Sequence, residues 1–229
     1  MIFLDLLFPP KTSCIICKTA IKTGYLCDKC KSTLKFIEGN RCCICGKPID
    51  YKGTCTDCLE HGHEFKQNIS PFEYDGVVKD LIGRFKYFKE RELAPFFADY
   101  MADVVKKMNW PIDVIVPVPL HKIRLDERGY NQSELLAREL SYRLNIFMSK
   151  ALRRVRNTTT QTALHKEERI ENVKGAFKVT YKDTIVGKNV LLVDDVLTTG
   201  ATLDECAKVL KENGAKEVYV ATVATGKNM

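Results

Sequence analysis

Two adjacent carboxylates and a loop of small hydroxyl residues offer the clearest chemistry in this sequence. Asp194 and Asp195 follow a run of four apolar residues, 190–193, and precede a small-residue loop, residues 198–202. Ionised carboxylates only accept hydrogen bonds, so two side by side suit a pair of vicinal hydroxyl groups such as those of ribose. Backbone N–H groups in a loop that opens a helix suit a phosphate. The segment therefore predicts a site for a sugar phosphate.

Residues 198–202, which we call the phosphate loop, combine three threonines with Gly200 and Ala201. The small residues let a phosphate approach the backbone, and the hydroxyls can donate hydrogen bonds to it. A strand, loop and helix with polar residues at the turn and no ligand is the alternative, and a Gly-Thr pair alone would favour it. The segment lacks the Gly-Lys-Ser/Thr of a P-loop and the Gly-x-Gly-x-x-Gly of a dinucleotide site. As a whole, residues 190–202 closely resemble the 5-phosphoribosyl-1-pyrophosphate (PRPP) motif of type I phosphoribosyltransferases.

Metal-binding chemistry is concentrated near the start of the sequence, where nine of the ten cysteines precede residue 60. Eight of them form two units of the pattern C-x2-C-x9-C-x2-C, so the sequence contains an internal repeat. The first unit is Cys14, Cys17, Cys27 and Cys30, and the second unit is Cys42, Cys45, Cys55 and Cys58. Four thiolates suit a tetrahedral Zn2+ ion, so the repeat predicts two structural zinc sites, one in each unit.

Other arrangements of these cysteines stay open at this point. An iron–sulfur site, a disulfide scaffold and a crossed pairing between the two units are the alternatives to zinc with sequential pairing. Cys43 is a spare thiol beside the second unit, and Cys206 is predicted to be a small core residue. His61 and His63 could replace a ligand, but eight thiolates already fill two sites, so both are predicted to lie in a solvated loop.

The composition is that of a basic globular protein. Its 229 residues allow one large or two modest domains, and the formal net charge of +7 favours anionic partners. The first ten residues are apolar but too short and too acidic for a signal peptide. No stretch approaches the roughly 18 apolar residues of a membrane-spanning helix, so we expect a cytoplasmic protein in which clustered cysteines bind metal.

Several elements must position the carboxylates and the phosphate loop, and hydrophobic periodicity indicates where they lie. Residues 190–193 predict a strand buried on both faces, and residues 203–213 predict the helix after the loop. Residues 59–71 are predicted to be a linker, and residues 120–132 a long basic loop. The other predicted elements are helices at 77–87, 93–108 and 133–144 and strands at 113–119, 177–179 and 217–223.

Basic side chains near the predicted strand ends can supply an anion site. Arg128 lies in the loop that follows residues 113–119, and this position favours an anion site over a solvated face. Lys86, near the end of a predicted helix, either complements the helix dipole or reaches a pyrophosphate, and both interpretations stay open. A second basic cluster consists of Lys150, Arg153, Arg154 and Arg156.

The sequence as a whole resembles the ComF family of competence-associated proteins. The resemblance rests on the two cysteine units, V-P-V-P-L-H at residues 116–121, R-G-Y-N-Q at 128–132, T-Q-T-x-L at 160–164 and V-D-D-V-L-T-T-G-A-T at 193–202. It implies an α/β fold of the type I phosphoribosyltransferase class with a central, mostly parallel sheet, at residues 72–229. It also implies a preceding double zinc-ribbon module at residues 1–65, and a role in handling incoming single-stranded DNA during natural transformation.

The resemblance and the residue chemistry together assign roles in the predicted site. Asp194, Asp195 and Arg128 are the predicted catalytic residues. The predicted PRPP-binding residues are Asp194, Asp195, Val196, Leu197, Thr198, Thr199, Gly200, Ala201, Thr202, Pro119, Leu120 and Lys86. Mg2+ bound with PRPP would stabilise charge on the departing pyrophosphate, and residues near 154–169 are predicted to form a lid.

Two further interpretations compete with a role in DNA uptake. The chain could be an active phosphoribosyltransferase of nucleotide metabolism with an unidentified acceptor. It could instead be a zinc-dependent adaptor with a vestigial PRPP pocket. Such an adaptor would bind single-stranded DNA by stacking bases on residues such as Tyr130, or dock a DNA-uptake helicase or another competence protein. The intact pair Asp194 and Asp195 favours a pocket that still binds its ligand.

Overall fold

A short antiparallel pair of strands and a single helical turn make up the first part of the chain. In a computed structural model that describes residues 12–157 and 166–226, except the side chains of residues 166, 167 and 169, β1 (Thr12–Ser13) pairs with β2 (Ala20–Ile21). The turn of helix is α1 (Asp28–Lys31). The chain forms two compact units that divide between Lys35 and Phe36, and these elements belong to the first. The apolar start of the sequence and the T-Q-T-x-L segment lie outside the described residues.

The second compact unit contains the larger sheet and most of the described helices. Its strands are β3 (Gln67–Ile69), β4 (Phe72–Glu73), β5 (Val114–Pro117), β6 (Leu152–Arg154), β7 (Phe177–Val179), β8 (Asn189–Leu197) and β9 (Glu217–Thr225). Its helices are α2 (Thr56–His61), α3 (Gly76–Tyr87), α4 (Leu93–Met108), α5 (Lys122–Arg128), α6 (Gln132–Leu144), α7 (Lys166–Val173) and α8 (Ala201–Glu212), with a 3-10 turn at Lys182–Thr184. No helix in the described ranges is both long and apolar enough to cross a lipid bilayer.

Four strands of the larger sheet lie in the order β3, β9, β8, β5, and all of them run parallel. β8 lies between two neighbours, with Val190 opposite Val114 on one side and Val218 on the other. β4 continues along β9 in the same direction, whereas β6 and β7 form a separate antiparallel pair. Parallel strands end at a common edge, so the carboxyl ends of β5, β8 and β9 meet there. The predicted α/β class with a mostly parallel sheet is confirmed.

β8 is buried on both faces, as its apolar run predicts. Val190 and Leu192 pack in one core cluster with Cys206 and Leu210 of α8. The residues that alternate with them along the strand are fully buried too, and α6 packs against β5 and β8. Cys206 is 0% exposed, which confirms its prediction as a core residue.

The second cysteine unit belongs to the same core as the sheet. Its four cysteines are buried and cluster with Phe65 and with α8. The backbone N–H of Asn68 in β3 donates to the carbonyl of Ile44 at 2.7 Å, and its side-chain amide donates to the carbonyl of Cys45 at 2.9 Å. This cysteine unit is therefore fastened to an edge of the parallel sheet.

The predicted linker at residues 59–71 is wrong, because this segment contains β3, where Gln67 pairs with Tyr219 of β9. Three residues, two of them polar, give no apolar alternation by which the strand could have been predicted. The predicted domains, residues 1–65 and 72–229, stay a prediction. The compact units divide between Lys35 and Phe36 instead, so the two cysteine units fall in different compact units.

Two further local predictions differ from the structure. The predicted basic loop at residues 120–132 contains α5, which begins after His121 and ends at Gly129, whose φ is +78°. None of its seven residues is buried, so no apolar stripe marks it as a helix. The strand predicted to end at the carboxylates continues to Leu197, because Val196 and Leu197 keep pairing with β9.

Candidate functional site

A cleft of about 360 Å3 opens at the carboxyl ends of β5 and β8. It is lined by most of the residues predicted from the sequence, namely Asp194, Asp195, Val196, Thr198, Thr199, Gly200, Ala201, Thr202, Pro119, Leu120, Lys86 and Arg128. Leu197, also predicted, is 1% exposed and packs in the core. The cleft further contains Tyr74, Lys79, Tyr87, Arg124, Gln132, Ser133, Arg154 and Leu203. Of the predicted lid, Arg154 lines the cleft, whereas residues 158–165 lie outside the described residues.

The carboxylate of Asp194 is held by two hydrogen bonds. The hydroxyl of Ser133, at the start of α6, donates to Asp194 Oδ1 at 2.7 Å, and the backbone N–H of Asp195 donates to the same oxygen at 2.9 Å. Burial and the neighbouring Asp195 carboxylate raise the pKa of Asp194 to about 7, although Lys86 and Ser133 act in the opposite direction. Asp194 therefore changes its charge near neutral pH in the absence of a ligand.

Asp195 forms an ion pair with Lys86, whose Nζ lies 2.7 Å from Asp195 Oδ1. Burial lowers the pKa of Lys86, but the charge of Asp195, its hydrogen bond to Lys86 and the nearby Asp194 and Tyr74 together outweigh burial, and the net shift is upward. The side chain of Asp195 is only 5% exposed, and its second oxygen, Oδ2, is buried and accepts no hydrogen bond from any described residue. A buried carboxylate oxygen without a donor is costly, so this atom suits a ligand hydroxyl or a metal ion.

The phosphate loop turns sharply at Gly200 before α8 begins at Ala201. Gly200 has a φ of +88°, a conformation that favours glycine. A Cβ at this position would also lie 2.6 Å from Cε1 of His63, so the loop has no room for a side chain here. The twelve-residue helix α8 begins directly after this turn, and the backbone N–H groups of its first residues are the donors that a phosphate site requires.

His63 is a part of the site region that the sequence did not indicate. Its Nδ1 lies 2.9 Å from Asp204 Oδ2 in the first turns of α8, and its ring stacks on Phe65 with centroids 4.4 Å apart. The side chain is 10% exposed, so the prediction of a solvated loop is wrong for His63. His61 is exposed as predicted, but it is the last residue of helix α2 and does not lie in a loop. His63 and Asp204 are 141 residues apart along the chain, and no local pattern links them.

Three arginines form a basic wall of the cleft, Arg124, Arg128 and Arg154. Arg128 donates through Nη1 to Gln132 Oε1, and its guanidinium carbon lies 5.4 Å from the ring centroid of Tyr87. Burial lowers the pKa of Arg154, and the nearby Arg124 adds to this shift. Such a concentration of positive charge in the same cleft as the carboxylates suits a polyanionic group.

Tyr130 does not belong to an exposed stacking surface. It is 6% exposed, its hydroxyl donates to the carbonyl of Phe85, and the guanidinium of Arg91 lies 4.8 Å from its ring centroid. The ring is buried and the hydroxyl is engaged within the protein, so the prediction that Tyr130 stacks a nucleic-acid base is wrong.

Each cysteine unit brings its four sulfur atoms together. The Sγ atoms of each unit all lie within 4.8 Å of one another, which gives the sequential grouping and not the crossed one. Cys17 and Cys27 have their sulfurs 3.7 Å apart, as do Cys45 and Cys55. Four sulfurs about 2.3 Å from a tetrahedral zinc ion would lie about 3.8 Å apart. Both units, which we call the first and second cysteine clusters, therefore fit Zn2+.

Comparisons with known proteins agree with this architecture. Residues 3–59 match the family described as "Double zinc ribbon domain", and residues 91–228 match the family described as "Phosphoribosyl transferase domain". Together with the parallel sheet, the second match identifies the fold as that of type I phosphoribosyltransferases.

Three curated relatives match over most of their length. The chain is 33% identical to "Competence protein F" of Haemophilus influenzae, over 90% of this chain and 94% of the relative. It is 33% identical to "Competence protein ComFC" of Bacillus subtilis, over 82% of this chain and 79% of the relative. It is 31% identical to "DNA utilization protein YhgH" of Escherichia coli, over 90% of this chain and 94% of the relative.

Proposed function

The chain belongs to the ComF family, whose double zinc ribbon precedes a phosphoribosyltransferase domain, and on this premise we propose that its cleft binds PRPP. The observation that carries the proposal is the hydrogen bonding of the two adjacent carboxylates, Asp194 and Asp195. Asp195 Oδ2 is buried without a donor, beside an Asp194 carboxylate that is already oriented by two hydrogen bonds. Two adjacent ribose hydroxyls are the donors that such a pair accepts.

The remaining parts of PRPP find chemically suitable neighbours in the same cleft. Its 5′-phosphate suits the phosphate loop, where N–H groups and threonine hydroxyls meet the positive end of the α8 dipole. Its pyrophosphate suits another part of the lining, which contains Arg128, Lys86, Pro119 and Leu120. Lys86 contacts Oδ1 of Asp195, so the Oδ2 atom stays available to a ribose hydroxyl.

Turnover would be a nucleophilic substitution at C1′ of the ribose. The bond from C1′ to the pyrophosphate oxygen breaks, its electron pair leaves with pyrophosphate, and a nucleophilic atom of the acceptor forms the new bond to C1′. Mg2+ bound with PRPP would neutralise part of the departing charge. The residues of this chain would hold the ribose and the two phosphate ends while the cleft limits access of water.

We further propose that the protein handles single-stranded DNA during DNA uptake, since two of its relatives bear competence names and the third a DNA utilization name. The net charge of +7 supports a polyanionic partner, and a helicase or another competence protein is the protein partner that this role would require. Clustered cysteines that bind metal as reduced thiolates are typical of a reducing compartment, so we place this role in the cytoplasm. An active enzyme of nucleotide metabolism is the alternative that the complete carboxylate pair favours.

Calorimetric titration of Mg2+-PRPP into the zinc-loaded full chain tests the proposal. We expect one saturable site per chain, and loss of that site in the Asp194→Asn/Asp195→Asn double variant with its circular dichroism spectrum unchanged. The absence of binding by a folded wild-type protein, or equal affinity in the double variant, would refute the assignment. Titration of fluorescent single-stranded oligonucleotides at two salt concentrations then tests the DNA-binding role separately.

A further inference from the structure

The segment that leaves the second cysteine cluster also contacts the phosphate loop, and we propose that His63 is a positioning residue for the 5′-phosphate site. The second cluster would thereby help to set the affinity of the cleft for ligands that carry a 5′-phosphate. This inference rests on the proposed function, because it concerns the same phosphate loop.

The contact consists of hydrogen bonds to both oxygens of one carboxylate in α8. His63 Nδ1 lies 2.9 Å from Oδ2 of Asp204 and 3.1 Å from Oδ1. The backbone N–H of Glu64 donates to Oδ1 at 2.9 Å. A carboxylate can only accept, so Nδ1 of His63 carries the hydrogen in this contact. The first turns of α8 are thus tied to the segment at residues 63–64.

The imidazole ring is held from its other side as well. It stacks on Phe65, which is 2% exposed, with an angle of 16° between the ring planes. The next residue, Lys66, donates its backbone N–H to the carbonyl of Val218 in β9 at 2.8 Å. His63 is therefore fixed between the sheet edge and α8, and its ring lies directly against Gly200 of the phosphate loop.

The segment that contains His63 follows the second cysteine cluster after a short connection. Cys58 lies on α2, the backbone N–H of Gly62 donates to the carbonyl of Cys58 at 3.1 Å, and the chain turns at Gly62, whose φ is +63°. Toward the carboxyl end of α8, Lys211 Nζ donates to the carbonyl of Glu64 at 3.1 Å. The segment that follows Cys58 is thus hydrogen-bonded to α8 at two places, Asp204 near the start of the helix and Lys211 near its end.

Two physical effects connect this attachment to phosphate affinity. A loop that is already ordered loses less conformational entropy when the phosphate binds its N–H groups. The Asp204 carboxylate also lies beside the loop, since its Oδ2 is 3.3 Å from the position of a Cβ on Gly200. Hydrogen bonds donated by His63 and Glu64 to this carboxylate offset part of its repulsion of an incoming phosphate.

Three variants of histidines test the role. His63→Ala removes the donor, His63→Asn keeps an N–H at the position of Nδ1, and His61→Ala changes an exposed histidine on the same segment. Each zinc-loaded full-length protein is titrated with Mg2+-PRPP, with ribose 5-phosphate and with inorganic pyrophosphate.

We expect His63→Ala to lower the affinity for both 5′-phosphate ligands by about tenfold, the effect of one charge-assisted hydrogen bond, and to leave the affinity for pyrophosphate unchanged. His63→Asn should recover most of the loss, and His61→Ala should match the wild type with equal zinc content in all variants.

Equal ribose 5-phosphate affinity in His63→Ala and the wild type would overturn the inference. So would a uniform loss for all three ligands, because that pattern indicates general disruption. If His63→Ala fails to fold, His63→Asn is compared with His63→Gln, whose amide lies too far out to replace Nδ1. Equal affinities of these two variants for ribose 5-phosphate would again overturn it. If the wild type binds neither PRPP nor ribose 5-phosphate, the proposed function fails and this inference fails with it.

Discussion

Lys86 Nζ lies 2.7 Å from Asp195 Oδ1, so the ammonium group of a lysine on α3 pairs with one of the two adjacent carboxylates that follow the apolar run of β8. Sequence alone left open whether Lys86 complements a helix dipole or reaches a pyrophosphate. The structure adds a third role, because Lys86 is the counter-ion of a buried carboxylate.

The first prediction concerns the cost of removing this counter-ion. Lys86→Met leaves the Asp195 carboxylate buried without its ion-pair partner, so we expect a loss of about 3 kcal/mol in the free energy of unfolding at pH 8. Urea denaturation of the zinc-loaded protein measures this loss. Lys79→Met, which changes an exposed lysine on the same helix, should cost less than about 0.5 kcal/mol. Equal stabilities of the two variants would show that the ion pair contributes little.

The second prediction follows from the raised pKa of Asp194. Its folded pKa of about 7 exceeds the ordinary value of 3.8, so the folded state binds this proton more tightly than the unfolded state between these values. The contribution of Asp194 to stability therefore falls as the pH rises through this window. Asp194→Asn keeps an oxygen acceptor for Ser133 but cannot ionise. We expect it to be more stable than the wild type at pH 8, with an advantage that shrinks toward pH 5.

Unfolding free energies of the wild type and Asp194→Asn at several pH values between 5 and 8 check this sign. Asp183→Asn, at an exposed aspartate of the same compact unit that does not line the cleft, serves as the control for the removal of a carboxylate. An advantage of Asp194→Asn that grows toward acidic pH would contradict the assignment of the raised pKa to Asp194.

The third prediction separates the two cysteine clusters. Elemental analysis should find two zinc ions per wild-type chain and one in either Cys14→Ser or Cys42→Ser. Cys42 is buried in the core that contains β8 and α8, so we expect its substitution to lower the melting temperature of the main thermal transition by about 10 °C or more. Cys14→Ser, in the other compact unit, should leave that transition within about 2 °C of the wild type. Equal shifts for both variants would argue against this distinction.

The fourth prediction concerns Gly200. Gly200→Ala combines an unfavourable positive φ with a contact of 2.6 Å to His63. Gly187→Ala has a φ of +70° but open space around it, so it isolates the backbone cost of about 1 kcal/mol. We expect Gly200→Ala to be at least about 1 kcal/mol less stable than Gly187→Ala, because the neighbouring ring must shift. Denaturant unfolding compares the two, and equal losses would mean that His63 moves aside freely.

Sequence patterns predicted the parts of this protein in which one short segment contains all the information. The apolar run of β8, the two carboxylates and the phosphate loop follow one another within residues 190–202, and the structure buries the apolar run in the core and places the carboxylates and the phosphate loop at the cleft. The cysteine repeat predicted two four-cysteine sites and left a crossed pairing open, and the structure brings together the four sulfurs of each unit. The helices α4 and α6 were predictable from their apolar faces.

The parts that could not be predicted depend on contacts between distant segments. Ser133 orients Asp194 across 61 residues, and His63 meets Asp204 across 141 residues, so neither contact leaves a local pattern. β3 is too short to show alternation, and α5 buries none of its residues. In each case, tertiary structure supplies the order that the local sequence does not.

The position of β3 has a consequence for how the protein is made. Among the strands that the structure describes, β3 pairs with β9 alone, and the hydroxyls of Ser70 and Thr222 lie 2.7 Å apart although 152 residues separate them. A ribosome synthesises nearly all of the described chain before this pairing partner exists. The residues around the second cysteine cluster therefore keep their apolar surface exposed for most of the time of translation. Zinc can bind to this cluster well before β3 pairs with β9. Early metal binding by the nascent chain would keep those thiols from oxidation during the delay.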